Sequence, residues 1–329
     1  MEFYLNSSNE KARPYFNGYK NPAFREEMSL DTFKFFLDLF FLVQEDEYIS
    51  LAGVEPLENP YITEILSLLN DYSKKKEFNN CFWTDGVNLC EYINLFPQNA
   101  HFEINIKSPE IIGNEKYKRL LFSLNELNER RKIVRKIFKH GEETIEANLI
   151  PTCSLIQEIT DYSFFWNIVN KFQLKIARVS LTFPKENIDK KDFYLKMKPI
   201  FMNFIQEAFD RRVLLLYECN NIPPCFFKSD ELAMISNCAY TGIQALGWCP
   251  NVYQVMPDRT VCFCPCLKSI NKMKIKNIFD YKRAQSQLFS IRKQIEDKKY
   301  RENTECLECL LNKNEECFGG CLGLKGDLL

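Results

Sequence analysis

The chain has 329 residues and a mass of 38.9 kDa, long enough for one large domain and a smaller one. Its 43 Lys and Arg against 44 Asp and Glu leave no polyelectrolyte character, so nothing favours nucleic acid or an anionic membrane as a partner. The longest apolar run, Phe33 to Val43, is broken by Lys34 and Asp38 and falls short of the roughly 18–20 residues of a spanning helix; with no basic and apolar leader, a cytoplasmic location is the default expectation.

In chain order, a strand is expected at 3–7. Ser29 then opens an apolar helix over about 29–44, followed by a strand at 48–52 and a helix at 61–73. Strands at 81–84 and 102–107 precede a helix at 115–139, in which Leu120, Leu121, Leu124 and Leu127 share one face and His140-Gly141 marks the close. A strand at 145–150, a helix at 154–170 and a strand at 176–182 complete the series. Six strand–helix units imply an α/β fold, a parallel sheet with right-handed crossovers curled into a partial barrel. Ligands on such a sheet collect at the carboxyl ends of its strands.

Cysteine usage divides the chain. Of 14 cysteines, only Cys81, Cys90 and Cys153 lie in the first 215 residues, and eleven crowd into the last 111. Without a secretory leader, such crowding reads as metal binding rather than disulfides. The expected boundary falls near residue 212: a barrel over 1–212 and a cysteine-rich domain over 213–329.

Three motifs lie at strand ends. The first strand runs into Ser8-Asn9-Glu10-Lys11-Ala12-Arg13-Pro14-Tyr15-Phe16, the second into Ala52-Gly53-Val54-Glu55-Pro56-Leu57, and the third ends in Phe82-Trp83-Thr84-Asp85-Gly86. In this order they resemble the radical S-adenosylmethionine (SAM) superfamily: the frame of its Cys-x3-Cys-x2-Cys motif, its Gly-Gly-Glu-Pro turn and its Thr-Asn-Gly strand end. The resemblance implies a fold of radical SAM type whose radical-generating cluster is lost. Ser8, Ala12 and Tyr15 stand where the three cluster cysteines would be. Thiolates hold such iron at low potential. A serine hydroxyl is a poor ligand, alanine has no ligand atom, and a tyrosine phenol titrates at about pH 10. The resemblance further implies a vestigial SAM pocket at Gly53, Val54, Glu55, Pro56, Thr84 and Gly86. There, Val54 replaces a glycine whose φ freedom valine lacks. SAM binding and cleavage are not expected.

The segment from Cys249 to Cys266 resembles the start of a SPASM or twitch extension. Cys249, Arg259 and Cys264 hold the pattern's positions, with arginine where glycine is usual. Cys306-Leu-Glu-Cys309, seven residues, and Cys317-Phe-Gly-Gly-Cys321 continue it, with a middle gap two residues longer than the family's and no final cysteine. By family rule, Cys249, Cys264 and Cys321 would hold one [4Fe-4S] cluster, with Cys238 as a fourth ligand. Cys306, Cys309 and Cys317 would hold a second, its completing ligand open among Cys262, Cys266, Cys219 and Cys225. Zinc is the alternative, because paired Cys-x2-Cys motifs bind it with similar spacing.

Other chemistry is sparse. Only His101 and His140 exist, which disfavours histidine-based catalysis, and His101 reads as a strand-edge residue. No phosphate-binding glycine loop is present. Glu103 and Glu146 are candidates to point into the barrel. Family members with this extension modify peptides, so the resemblance implies a peptide-binding or regulatory partner, with a peptide substrate or an active radical SAM paralogue as its associate. The alternatives are an enzyme using a C-terminal cluster or the barrel cavity for non-radical chemistry, and a zinc-stabilised binding module. No catalytic residue is assigned.

Overall fold

The computed structural model describes residues 1–8, 25–43, 48–76, 78–97, 100–137, 149–182, 190–218, 222–240, 253–263, 272–302, 308–313 and 317. Its framework is one sheet. The strands are β1 (Glu2–Ser8), β2 (Arg25–Glu27), β3 (Tyr48–Gly53), β4 (Asn79–Thr84), β5 (Ala100–Asn105), β6 (Leu149–Leu155), β7 (Ile176–Leu181), β8 (Leu214–Tyr217), β9 (Gln254–Val255), β10 (Thr260–Cys262) and β11 (Lys272–Lys274). They lie in the order β11-β10-β9-β1-β3-β4-β5-β6-β7-β8, with β2 antiparallel to β1. From β1 through β8 the path is parallel throughout. The expected α/β parallel sheet is therefore present, with β8 as one parallel strand more than the six expected.

Among the described residues the helices are α1 (Leu30–Val43), α2 (Ile62–Ser73), α3 (Leu89–Tyr92), α4 (Pro109–Ile112), α5 (Asn114–Ile137), α6 (Ser163–Lys171), α7 (Lys190–Arg211), α8 (Ser229–Cys238), α9 (Ile278–Glu302) and α10 (Leu310–Lys313). The Ser29 hydroxyl accepts the Thr32 N–H at 3.2 Å and so caps α1, satisfying a donor that the first turn cannot. Phe33, Phe36, Leu37 and Phe40 then recur on one buried face. In α5, Leu120, Leu124 and Leu127 are buried as their spacing predicts.

Two expectations need correction. The strand expected at 145–150 is observed at Leu149–Leu155, and the helix expected from 154 begins at Ser163. Pro151 inside β6 carries no N–H for a ladder, which masked the strand pattern. Helix α7 was not anticipated; Pro199 lies within it, yet Phe193, Met197, Phe201, Phe204 and Ile205 keep a helical face buried. Past residue 212 the chain stays in this sheet, since β8 pairs with β7 and β9 pairs with β1. His140, Gly141 and Glu146 lie outside the described residues.

Alternation sorts the strands into two unlike faces. Phe3, Leu5, Ile49, Leu51, Phe82, Phe102, Ile104 and Val179 join the helices in the main apolar core. Burying each such side chain stabilises the fold by about 1.5–3 kcal/mol. The opposite face carries polar groups instead, and its small apolar cluster is Tyr4, Ala52, Met256 and Cys262 against Trp83.

Phe33 is fully buried, its ring centred 4.8 Å from that of Phe3. Phe33→Ala should lower the unfolding free energy by about 3–5 kcal/mol. Leu42→Ala, at a side chain 68 % exposed, should stay within about 0.5 kcal/mol. Denaturant midpoints check both; equal effects would place α1 wrongly on the sheet.

Candidate functional site

The turn after β3 is built around one glycine. Gly53 has φ +144°, and a Cβ there would lie 2.4 Å from Asn6 Oδ1 and 2.7 Å from the Asn6 carbonyl oxygen. Only glycine allows β1 and β3 to approach this closely. Asn6 uses the proximity twice: its Nδ2 donates to the Glu55 carbonyl at 2.6 Å, and its Oδ1 accepts the Glu55 N–H at 3.1 Å. The left-handed demand thus falls on Gly53. Val54 is not among the residues with positive φ, so the backbone conflict expected of valine does not arise.

Glu55 joins this turn to the end of β4. Its carboxylate accepts the Leu57 N–H at 3.1 Å, the Thr84 hydroxyl at 2.8 Å and the Asp85 N–H at 2.7 Å. Burial, followed by the nearby Asp85 charge, pushes the Glu55 carboxyl well above the usual range. Pro56 opens the short 3-10 turn Pro56–Glu58. Thr84 also accepts the Gly86 N–H at 3.0 Å. Gly86 has φ +74°, and a Cβ there would meet Leu120 Cδ1 at 2.7 Å. The sequence-predicted residues Gly53, Val54, Glu55, Pro56, Thr84 and Gly86 therefore do meet, as one brace across three strand ends.

Beside this brace lies an open pocket lined by Gly53, Val54, Trp83, Thr84, Asp85, Glu103, Asn105, Lys107, Thr152 and Ser154. Strand register explains the lining. Trp83 stands opposite Glu103, Asn105 opposite Thr152, Thr152 opposite Arg178 and Ser154 opposite Ser180, so all of these share the inner face.

At its base, Arg178 Nε lies 2.5 Å from Glu103 Oε2, and Nη2 donates to Glu103 Oε1 at 2.9 Å. Nη1 donates to Glu218 Oε1 at 2.7 Å. The guanidinium also sits 5.1 Å from the centre of the Trp83 ring. The Cys81 thiol reaches Glu103 Oε1 at 3.7 Å.

Burial pushes the Glu103 carboxyl up to about 7, against the pull of Arg178 and with the added repulsion of Glu218. Burial alone would lower Arg178, and the two carboxylates more than reverse this. Burial, then Glu103, holds the Cys81 thiol well above its ordinary value. Glu103 was one of two carboxylates named as candidates to point into the barrel, alternation fixing only that it shares a face with its second neighbours. Arg178 and Glu218 were not, because nothing local in the sequence signals a pairing across strands 75 and 40 residues apart.

Ser8 ends β1, while Ala12 and Tyr15 lie outside the described residues, as do Cys249, Cys264, Cys306 and Cys321. Cys238 is buried at the end of α8 and donates to the Ile205 carbonyl at 3.7 Å. Burial, then Asp210, pushes its thiol up to about 11. Cys317 is buried and Cys309 half-buried, and the described residues contain no group of three metal-ligand side chains. Cys262 faces Tyr4, Ala52 and Met256. Arg259, which stands at the glycine position of the SPASM-like pattern, has φ +63°. It closes the β9–β10 hairpin, where the Met256 N–H donates to the Thr260 carbonyl at 2.8 Å and the Arg259 N–H to the Met256 carbonyl at 3.1 Å.

No family model and no curated protein matches the sequence. The fold is similar to two crystal structures of Streptococcus suis SuiB. One is bound to precursor peptide SuiA, with a TM-score of 0.57, 13 % identity, and 97 % of this chain and 71 % of that chain covered. The other is bound to S-adenosylmethionine, with a TM-score of 0.58, 13 % identity, and 97 % and 70 % covered. The chain thus has the radical SAM type of fold, as its motifs led one to expect. Ser8, Ala12 and Tyr15, where the resemblance sets the cluster motif, do not fit an iron–sulfur cubane, since none offers a thiolate.

The inner face predicts a pH dependence. The folded-state value of Glu103, about 7, lies above the unfolded value near 4.5. Its stabilising contribution is full below about pH 4.5 and lost as pH rises through about 7. Glu103→Gln should flatten this part of the stability profile, measured by denaturant unfolding across that range. Arg178→Met leaves two carboxylates without their cation and should cost about 3 kcal/mol or more near pH 7. A profile unchanged by Glu103→Gln would contradict the burial of this carboxyl.

Proposed function

We propose that this chain is a SAM-inactive protein of radical SAM/SPASM type that binds a peptide, acting as the recognition or regulatory partner in peptide maturation. The observation that carries this reading is a pocket at the carboxyl ends of the strands, in a chain whose sequence has Ser8, Ala12 and Tyr15 where the resemblance sets the cluster cysteines. The likeness to SuiB, solved with its precursor peptide, supports peptide as the ligand class.

The proposed work of the chain is recognition. The brace of Asn6, Gly53, Glu55, Thr84 and Asp85 holds the rim of the cavity, and the Glu103–Arg178–Glu218 group holds its base. The cysteine-rich part from Cys219 onward is proposed to carry one or two iron–sulfur clusters on Cys249, Cys264 and Cys321 and on Cys306, Cys309 and Cys317. The buried Cys238 thiol, hydrogen-bonded to a carbonyl, argues against Cys238 as a fourth ligand. An active radical SAM paralogue is the proposed associate, since SAM cleavage needs an open-coordinate iron that these residues cannot hold.

The test uses protein purified anaerobically and reconstituted with iron and sulfide. Given SAM and a strong one-electron reductant, it should form no 5′-deoxyadenosine above the protein-free control. It should bind a subset of peptides on a random array, and carry iron and sulfide together. SAM turnover dependent on the chain's own iron would overturn the inactive assignment. An array with no bound peptide would overturn the recognition role, and stoichiometric zinc without sulfide would overturn the clusters.

A further inference from the structure

We propose that the outward face of α7 is a self-association surface. A second copy of this chain docks there with its own α7, antiparallel across a two-fold axis near Met202. This surface is separate from the pocket, and its role does not depend on peptide binding.

Spacing marks the seam. Leu195, Pro199, Met202, Gln206 and Phe209 recur at alternating steps of four and three residues and so form one stripe along the helix. It lies opposite the buried face of Phe193, Met197, Phe204 and Ala208. Leu195 is 51 % exposed and Phe209 48 %, Pro199 and Gln206 are exposed, and Met202 is partly covered. On α9, by comparison, the exposed Phe279 and Phe289 stand about 80° apart around the helix axis and make no stripe. Apolar side chains aligned in water at this spacing are the pattern of a helix with a facing helix.

Symmetry names the occupant. Leu195 and Phe209 are each seven residues from Met202, roughly 10 Å along the axis. A two-fold axis at Met202 therefore sets Leu195 of each chain against Phe209 of the other, and Met202 against its own copy. A contact between identical surfaces has to be self-complementary in this manner.

Charge fixes the orientation. Lys191 and Lys196 are exposed in the first half of α7, and Asp210 is exposed in the second. Other charges of the helix are engaged in their own chain: Lys198 with Glu231 at 2.7 Å, and Arg211 with Glu207 at 2.6 Å and with the Trp166 ring. Asp192 also has an interaction within the chain. Antiparallel pairing brings Lys191 and Lys196 within about one turn of the level of Asp210 in the other copy, whereas parallel pairing would set like charges side by side. Exposed ion pairs add little affinity, so the charges select the orientation and the apolar stripe supplies the attraction. Since α7 packs on the outer face, docking leaves the inner-face pocket open in both copies.

Sedimentation velocity of the full chain over a wide range of concentration tests this. The mass should rise from 38.9 kDa toward twice that value as concentration increases. Leu195→Glu or Phe209→Glu should weaken dimerisation roughly tenfold or more, while Leu42→Glu, at an exposed leucine on α1, should leave it unchanged. Asp210→Lys should weaken it too, and adding Lys191→Glu and Lys196→Glu should restore it, because the two halves then exchange signs. A photoreactive residue at position 195 should crosslink between chains to the segment around Phe209. All the substituted side chains are exposed, and thermal melts confirm that the variants are folded.

A chain that sediments as a monomer throughout would overturn the proposal, as would a dimer that every stripe substitution leaves intact. A charge exchange that fails to restore the dimer would contradict the antiparallel arrangement. Array peptides lost by Leu195→Glu, from a chain that stays monomeric, would assign the face to a peptide instead.

Discussion

Arg178 holds two carboxylates, Glu103 on β5 and Glu218 just after β8, on the inner face of a parallel sheet, and the character of that side follows from this. Removing a guanidinium and two carboxylates from water costs several kcal/mol per charge, a cost repaid only where geometry is good and hydrogen bonds are complete. Here Arg178 contacts Glu103 through two nitrogens and Glu218 through a third. A face committed to these charges cannot collapse onto apolar side chains. It stays open as a cavity at the carboxyl ends of the strands, while the outer face takes the aromatic core and the helices. Strand alternation separates the two faces: apolar packing with the helices on one, charged and polar groups on the other.

The brace at Gly53 to Asp85 fixes the rim in the same spirit. Each polar atom of Asn6 finds the backbone of Glu55, and each carboxylate oxygen of Glu55 finds a donor. A motif that resembles a cofactor turn serves in this chain to tie β1, β3 and β4 together. Asn59 extends the tie, its Nδ2 donating to the Leu5 carbonyl at 2.8 Å and the Met28 carbonyl at 3.1 Å.

Much of the fold was legible because its signals are local. Ser29 before the Phe33–Phe40 stripe, the leucines of α5, and Gly53-Val54-Glu55-Pro56 after an apolar strand each announce themselves within a few residues. The misreadings have equally particular causes. Pro151 disguised β6 and Pro199 disguised α7, since a proline in a strand or helix weakens the pattern by which either is recognised. Valine at position 54 seemed to conflict with a glycine-like backbone, but the strained φ belongs to Gly53 next to it. At the hairpin, Arg259 does adopt a left-handed φ, and its Nε reaches the Thr32 hydroxyl at 3.2 Å. The candidate site was half legible. Alternation set Glu103 on one face with its second neighbours without telling which face, and only three-dimensional register brings Arg178 and Glu218 to it.

The account depends on Glu103 being buried against a cation that two carboxylates share. Carbon-13 NMR of the side-chain carboxyls, with the Glu103 signal assigned by its loss in Glu103→Gln, measures this directly. The predicted titration midpoint is about 7. A midpoint at the ordinary carboxyl value near 4.5 would mean that water reaches the group freely, and would contradict the burial of Glu103 against Arg178.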